Sequence, residues 1–266
     1  MSTEQQNDQE ATKRMHISPE YSYLTDFISV IPDIFAFMGE EVHTGRNEIR
    51  RVNIRGLVVV IKYFKSMTWA NRLIYSTIRK SKAQRAFENS KRLQIKGINT
   101  PDPIAYIDVY RRGLLSQSFY VSLFLDFEPA DQLFKSPLAQ AEEGLRAFAR
   151  FTYGLHRRGI YHNDYNLGNI LYSRDGSRYL FALIDNNRMA FLPYTRRRGL
   201  RNLQRLQLTL EQLGVVGAEY ARVSQANGTQ TLFDILKYRM LFHYRNAVKD
   251  VFKSLLNNRY SLKRMA

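Results

Sequence analysis

Hydrophobic and polar positions divide this chain into a strand-rich half and a helix-rich half. Residues 1–18 are polar and read as a disordered tail. In YLTDFISVIPDIF (23–35) the apolar residues recur at helical spacing, which predicts a short helix as far as Pro32. The texture then changes. Residues 35–64 carry β-branched runs broken at Gly45-Arg46-Asn47 and at Arg55-Gly56, the pattern of three antiparallel strands and two turns. Residues 69–96 hold neither Gly nor Pro and predict a helix that Gly97 stops. Residues 104–127 read as two strands joined around Arg111–Gly113.

Beyond Pro129 the period becomes mostly helical. Leu138, Leu145, Phe148, Thr152 and Leu155 fall on one face of a helix over 136–160, with Ser136 as its N-cap and Pro137 at its first position. Tyr179–Ile184 is strand-like, and 198–213 and 231–257 predict two further helices. Strands first and helices later argue for an α+β protein of two lobes, 19–127 and 128–266.

Composition narrows the class. The 266 residues are 44% hydrophobic and 24% charged, which excludes a wholly disordered or collagen-like chain. There is no cysteine, so thiolate catalysis, zinc–cysteine sites and disulfide scaffolds are excluded. The first 20 residues lack the apolar core of a signal peptide, and no run of 18 apolar residues exists. Charge adds a direction: a net +16 attracts polyanions, whether nucleic acid, anionic membrane or an acidic glycan. Residues 46–96 contain 14 Lys+Arg against two Glu, and residues 196–266 contain 14 against four Asp+Glu. No nucleic-acid motif accompanies this excess, so none is expected as partner.

The chemistry concentrates in HRRGIYHNDYNLGNILY (156–172), which contains His162-x-Asp164-x-x-x-x-Asn169. A carboxylate to accept a hydroxyl proton and an amide oxygen for Mg²⁺ are what phosphoryl transfer needs. An Asx-turn in a polar loop is the plainer reading. Two further features raise the first. Phe181-Ala-Leu-Ile-Asp185 is an apolar strand ending in a carboxylate, a second anchor for Mg²⁺. Val58-Val-Val-Ile-Lys62 ends a buried run on a lysine that must snorkel or pair. In a kinase such a lysine reaches the nucleotide phosphates and is held by a glutamate of the next helix. Glu88 is the sole acidic residue between Lys62 and Asp102, although surface pairs with Lys91 or Arg92 compete for it.

Lys62, Glu88, Asp164 with Asn169, and Asp185 occur in the order of the protein-kinase-like fold, which the chain resembles. Departures are a turn of Gly45-Arg46-Asn47 in place of a glycine-rich loop, Asp185-Asn186-Asn187-Arg188 in place of D-F-G, and no A-P-E segment. The segments HTGRNEI (43–49), VVVIKYFK (58–65), SKAQRAFENSKRLQIKGINTPDPIAYI (81–107), GIYHNDYNLGNILY (159–172) and LIDNNRM (183–189) are similar to the bacterial lipopolysaccharide kinase family. That resemblance implies a kinase acting from ATP with Mg²⁺ on Kdo or heptose of the lipopolysaccharide inner core, peripherally at the cytoplasmic face of the inner membrane. It implies Asp164 as catalytic base. It places Asn169 and Asp185 at the metal, and Gly45, Arg46, Asn47, Lys62 and Glu88 at the nucleotide. RIO-like kinases, aminoglycoside-type phosphotransferases and a pseudokinase are the alternatives. Arg188 either binds an acceptor phosphate or pairs with a loop carboxylate.

Overall fold

The computed structural model describes residues 11–65 and 79–262. The chain forms two compact units. One holds the residues up to Phe127 together with Ala182–Arg188; the other holds Glu128–Phe181 and the chain from Met189 onward. A break after Phe127 is where the hydrophobic period changes. The return of Ala182–Arg188 to the first unit has no signature in the sequence.

The first unit is built on a six-stranded antiparallel sheet. Its strands are β1 (Thr12–Ile17), β2 (Glu40–Thr44), β3 (Glu48–Ile54), β4 (Leu57–Tyr63), β5 (Pro103–Arg111) and β6 (Leu114–Leu123), in the order β1-β5-β6-β4-β3-β2. Two of its turns share a two-residue solution. Arg55-Gly56 and Arg112-Gly113 all have positive φ, between 49° and 80°, the geometry that matches the twist of a tight hairpin. Helix α1 (Thr25–Ile34) covers the sheet, burying Ile28 and Ile31 completely among Val59, Ile61, Ile104 and Phe119. Each such isoleucine is worth about 1.5–3 kcal/mol.

Several expectations need correction. The polar tail ends earlier than 18: residues 12–17 pair with β5 as an edge strand, Thr12 opposite Tyr110 through Ile17 opposite Ala105. Its polar outer face hides this strand from a hydrophobicity pattern. Helix α1 runs through Pro32 to Ile34, because a proline in the last turn removes little of the hydrogen-bond ladder. Of the helix expected over 69–96, the structure gives α2 (Lys82–Ile95), capped by Ser81 Oγ accepting from the Gln84 amide. Its earlier portion, 69–78, lies outside the described residues.

In the second unit, a short helix α3 (Ala130–Lys135) precedes α4 (Leu138–Arg157), so Ser136 closes α3 and Pro137 is the N-cap of α4. Leu145, Phe148, Thr152 and Leu155 are buried as the spacing predicts. Strands β7 (Glu128–Pro129) and β9 (Ile170–Asp175) join β10 (Arg178–Leu183) in one small sheet. Strands β8 (Ile160–His162) and β11 (Met189–Phe191) pair antiparallel in another. The helix expected over 198–213 is two helices, α5 (Arg196–Asn202) and α6 (Leu210–Ser224). Leu206 and Leu208 are buried in the extended stretch between them, and Thr209 with Gln212 forms a capping box that restarts the helix. Buried Glu219 of α6 receives Arg150 of α4 at 3.0 Å and Arg222 at 2.7 Å. Helix α7 (Gly228–Leu262) ends the described chain.

Candidate active site

The segment after β8 is held in shape by its own polar atoms. His162 is buried, and its Nδ1 accepts the Asp164 backbone N–H at 3.1 Å. The Asp164 carbonyl accepts Asn169 Nδ2 at 2.9 Å and Asn166 Nδ2 at 3.0 Å. Tyr165, fully buried, hydrogen-bonds Thr152 of α4 through its hydroxyl at 2.7 Å. These bonds lock the backbone between two side chains that remain partly exposed, Asp164 and Asn169. Asn169 uses its nitrogen here, and its Oδ1 is an oxygen of the kind that can ligate a cation. His162 therefore positions the loop and needs no role as a base. Arg205, absent from the expected set, places Nη1 2.9 Å from Asp164 Oδ1.

The first unit brings together Lys62 and Asp185, with Nζ to Oδ1 at 2.6 Å. Asp185 sits at φ 57°, a left-handed backbone that a non-glycine residue adopts at a cost and that clusters at functional positions. The turn is over-determined by its neighbours. Asn187 Nδ2 donates to Asp185 Oδ1 at 2.5 Å. Asn186 is buried, and its Nδ2 donates to Ser90 Oγ at 2.9 Å and Thr100 Oγ1 at 2.8 Å. Asn89 of α2 donates to the Asn186 carbonyl at 2.6 Å. Asparagines thus tie the turn at Asp185 to α2, where D-F-G would use an apolar ring.

Glu88 does not hold Lys62. Its carboxylate takes Lys80 Nζ at 2.7 Å and Gln84 Nε2 at 3.0 Å. Glu88 lies on the partly exposed face of α2, whereas Ala86, Phe87, Ser90 and Leu93 form the buried face, so its nearest cations are those of the adjoining surface. The alternative pair with Lys91 is not formed either, since Lys91 joins Glu20 at 2.5 Å. A residue that the sequence did not single out, Lys82, stands beside Lys62: the two ammonium groups lie 5.8 and 5.3 Å from the Phe64 ring centre. Burial, then the charges of Arg188 and Arg85, push Lys82 below the ordinary lysine range. Gly45, Arg46 and Asn47 form the turn between β2 and β3.

Asp185 in the first unit and Asn169 in the second each offer an oxygen of the hard kind that Mg²⁺ takes. Among the described residues no three His, Asp or Glu side chains gather as a metal centre. Mg²⁺ is commonly held through one or two protein oxygens and keeps much of its shell as water and phosphate oxygen, so few protein donors are needed.

Residues 43–226 match the lipopolysaccharide kinase (Kdo/WaaP) family. The chain belongs to that family. It is therefore a kinase, with lipopolysaccharide as its class of acceptor. Among solved structures, WaaP in complex with acyl carrier protein is similar at 16% identity and a TM-score of 0.60, over 89% of this chain and 98% of that one. This likeness shows the protein-kinase-like fold. A MAP kinase of Leishmania major, LmaMPK10, aligns at 14% identity and a TM-score of 0.40, over 82% of this chain and 65% of that one. No curated protein sequence matches.

Proposed function

We propose that this lipopolysaccharide kinase transfers the γ-phosphoryl group of ATP to a hydroxyl of an inner-core sugar, Kdo or heptose. The observation that carries the residue assignment is the Asp164–Asn169 loop, whose backbone is fixed while the two functional side chains stay accessible. In this reading Asp164 orients the attacking hydroxyl and takes its proton. Lys62 and Lys82 supply positive charge to the nucleotide phosphates, and the Gly45-Arg46-Asn47 turn covers them. Lys82 already bears the repulsion of Arg188, Arg85 and Lys62, which a polyphosphate would relieve. Asn169 and Asp185 would hold Mg²⁺, whose chemistry is to neutralise charge on the transferred group.

The acceptor is a membrane glycolipid, and α7 suits an anionic surface. From residue 236 to 254 none of its side chains is buried. Phe233, Met240, Tyr244, Val248, Val251 and Phe252 recur at helical spacing and are all exposed, with Lys237, Arg245, Lys249 and Lys253 interspersed. No helix among the described residues is long and apolar enough to cross a bilayer. We place the enzyme peripherally at the cytoplasmic face of the inner membrane, where basic side chains gain about 1 kcal/mol each.

Mass spectrometry of lipid A–core from cells with the wild-type gene, an Asp164→Asn gene and no gene tests this reading. Loss of one phosphoryl group from the core sugars in both altered strains is expected. An unchanged core in both would rule it out.

A further inference from the structure

A second set of groups lies in the unit that carries Asp164, and the phosphoryl-transfer scheme does not use it. A cavity of about 250 Å³ is lined by Arg198, Arg201 and Arg205, with Asn163, Asn202 and Tyr161 among the other residues around it. Among the described residues, no carboxylate lines it. The volume is below the about 300–1,000 Å³ typical of pockets for drug-sized ligands, so it suits one sugar ring or a small anion.

The three guanidinium groups are only partly committed within the fold. Arg201 is exposed and makes no hydrogen bond or ion pair among the described residues. Arg198 gives one nitrogen to the Pro193 carbonyl and lies 5.7 Å from the Tyr161 ring centre. Arg205 gives Nη1 to Asp164 and stacks on Phe242 at 4.9 Å. Arg198 and Arg201 are three apart on α5, where like charges repel. A guanidinium carries five donors, so most of the donors here are uncommitted.

The pocket is also built rigidly onto the Asp164 loop. Asn202, at the end of α5, donates to the His162 carbonyl at 2.9 Å, and its Oδ1 lies 3.2 Å from Nε2 of His156. Gly199 lets α5 approach closely: a Cβ there would come within 2.5 Å of the Tyr220 hydroxyl and 3.0 Å of His156 Nδ1. His156 and Tyr220 are buried and bonded to each other at 2.9 Å. The arginines of α5 are thereby set in register with His162 and, two residues on, Asp164.

We infer that the Arg198–Arg201–Arg205 pocket binds an anionic substituent of the acceptor sugar, a carboxylate or a phosphate, and that Arg205 links it to Asp164. This inference rests on the reading of Asp164 as the hydroxyl-orienting group. One edge of the Arg205 fork holds Asp164 while its remaining donors face a pocket that selects anions. An acceptor anchored there by its acidic group presents a neighbouring hydroxyl to Asp164, so the charge serves specificity as well as affinity.

The test uses the full chain, in wild-type form and as Arg201→Ala and Arg201→Lys, which alter an exposed side chain without partners. Calorimetric titration with free Kdo, inorganic phosphate and uncharged glucose reads binding without any need for turnover. Wild type should bind Kdo, phosphate or both, and glucose at least about tenfold more weakly. Arg201→Ala should lose about tenfold or more in affinity for the anion, and Arg201→Lys should recover part of it. Whether Kdo or phosphate shows the loss identifies carboxylate or phosphate as the group recognised. Equal binding of anions by wild type and Arg201→Ala, or glucose binding as strong as the anions, would overturn the inference. In turnover assays kcat/KM for the acidic acceptor should fall in Arg201→Ala while the KM for ATP holds. Anion binding that depends on Arg201 without sugar phosphorylation would leave the pocket standing and remove the kinase assignment of Asp164.

Discussion

Lys62 Nζ lies 2.6 Å from Asp185 Oδ1, joining the cation of a buried strand to the carboxylate of a left-handed turn. The two side chains are 14% and 25% exposed, so the pair is only partly screened by water. Removing either partner therefore reaches beyond its own contact. We predict that Asp185→Ala abolishes metal-dependent nucleotide binding, and that Lys62→Ala weakens it less, because a point charge is lost while the metal donors remain. The thermal shift induced by ATP with Mg²⁺ reads both. Wild-type shifts in the two variants would refute the pairing of these residues with nucleotide.

Lys82 gives a related prediction that the sequence did not suggest. Its ammonium is disfavoured by burial and by surrounding positive charge. Lys82→Met should therefore leave the apo fold as stable as wild type or slightly more so. ATP affinity should fall by about tenfold, as expected for one lost charge-assisted contact. Melting curves with and without ATP separate the two effects.

Asp164→Asn should lower kcat by about 10²–10⁴ with nucleotide affinity nearly unchanged. The loop should survive, since its bonds run through the Asp164 backbone and not through the carboxylate. Single-turnover kinetics with labelled ATP would expose a variant that retains normal chemistry and so dismiss the role.

Two buried groups pull stability in opposite directions with pH. Burial pushes Asp108 up to about 6 from 3.8, despite the Ser118 hydroxyl that donates to it at 2.7 Å. Its folded-state pKa is raised, so stability falls as pH rises from about 3.8 to about 6. Burial pushes His156 down to about 4 from 6.5. The folded protein then resists its protonation, and stability falls as pH drops from about 6.5 to about 4. Each effect spans about 3 kcal/mol, and the two largely offset each other across the same window. Asp108→Asn removes one of them. It should raise the thermal midpoint at pH 7.5 by the equivalent of about 2–3 kcal/mol, and by little near pH 4. A constant gain at all pH values would show that Asp108 is not the group responsible.

Binding to vesicles should follow charge. Exposed basic groups lose their attraction over a Debye length of about 8 Å at physiological salt. Co-sedimentation with anionic vesicles should be strong at low salt and fall steeply as salt is added. Equal recovery with neutral vesicles would point to the apolar stripe of α7 alone.

Much of this architecture is legible in the chain because periodic burial leaves a period in the sequence. The strands of 35–64 and the face of α4 show it, as does the strand that delivers Asp185. Residues whose place depends on distant chain are not legible in this way. Glu88 is singled out by elimination along the sequence, yet the surface charge of Lys80 decides its partner. Edge strand β1 offers only Met15 and Ile17 as apolar residues, too few for a period to show, although its register with β5 is regular. Arg205 is one of many arginines by composition and acquires meaning only through its 2.9 Å contact with Asp164. The capping box at Thr209 and Gln212 is a local signal that marks a helix start within 198–213.

In the proposed reaction Asp164 controls the transfer of phosphate to a lipopolysaccharide sugar. ATP labelled in its γ-phosphate, offered with Kdo-bearing lipid A, histone and kanamycin in separate reactions, tests it most directly. Label is expected in the glycolipid with wild-type enzyme, and almost none with Asp164→Asn. Label in histone or kanamycin with none in the glycolipid would contradict it.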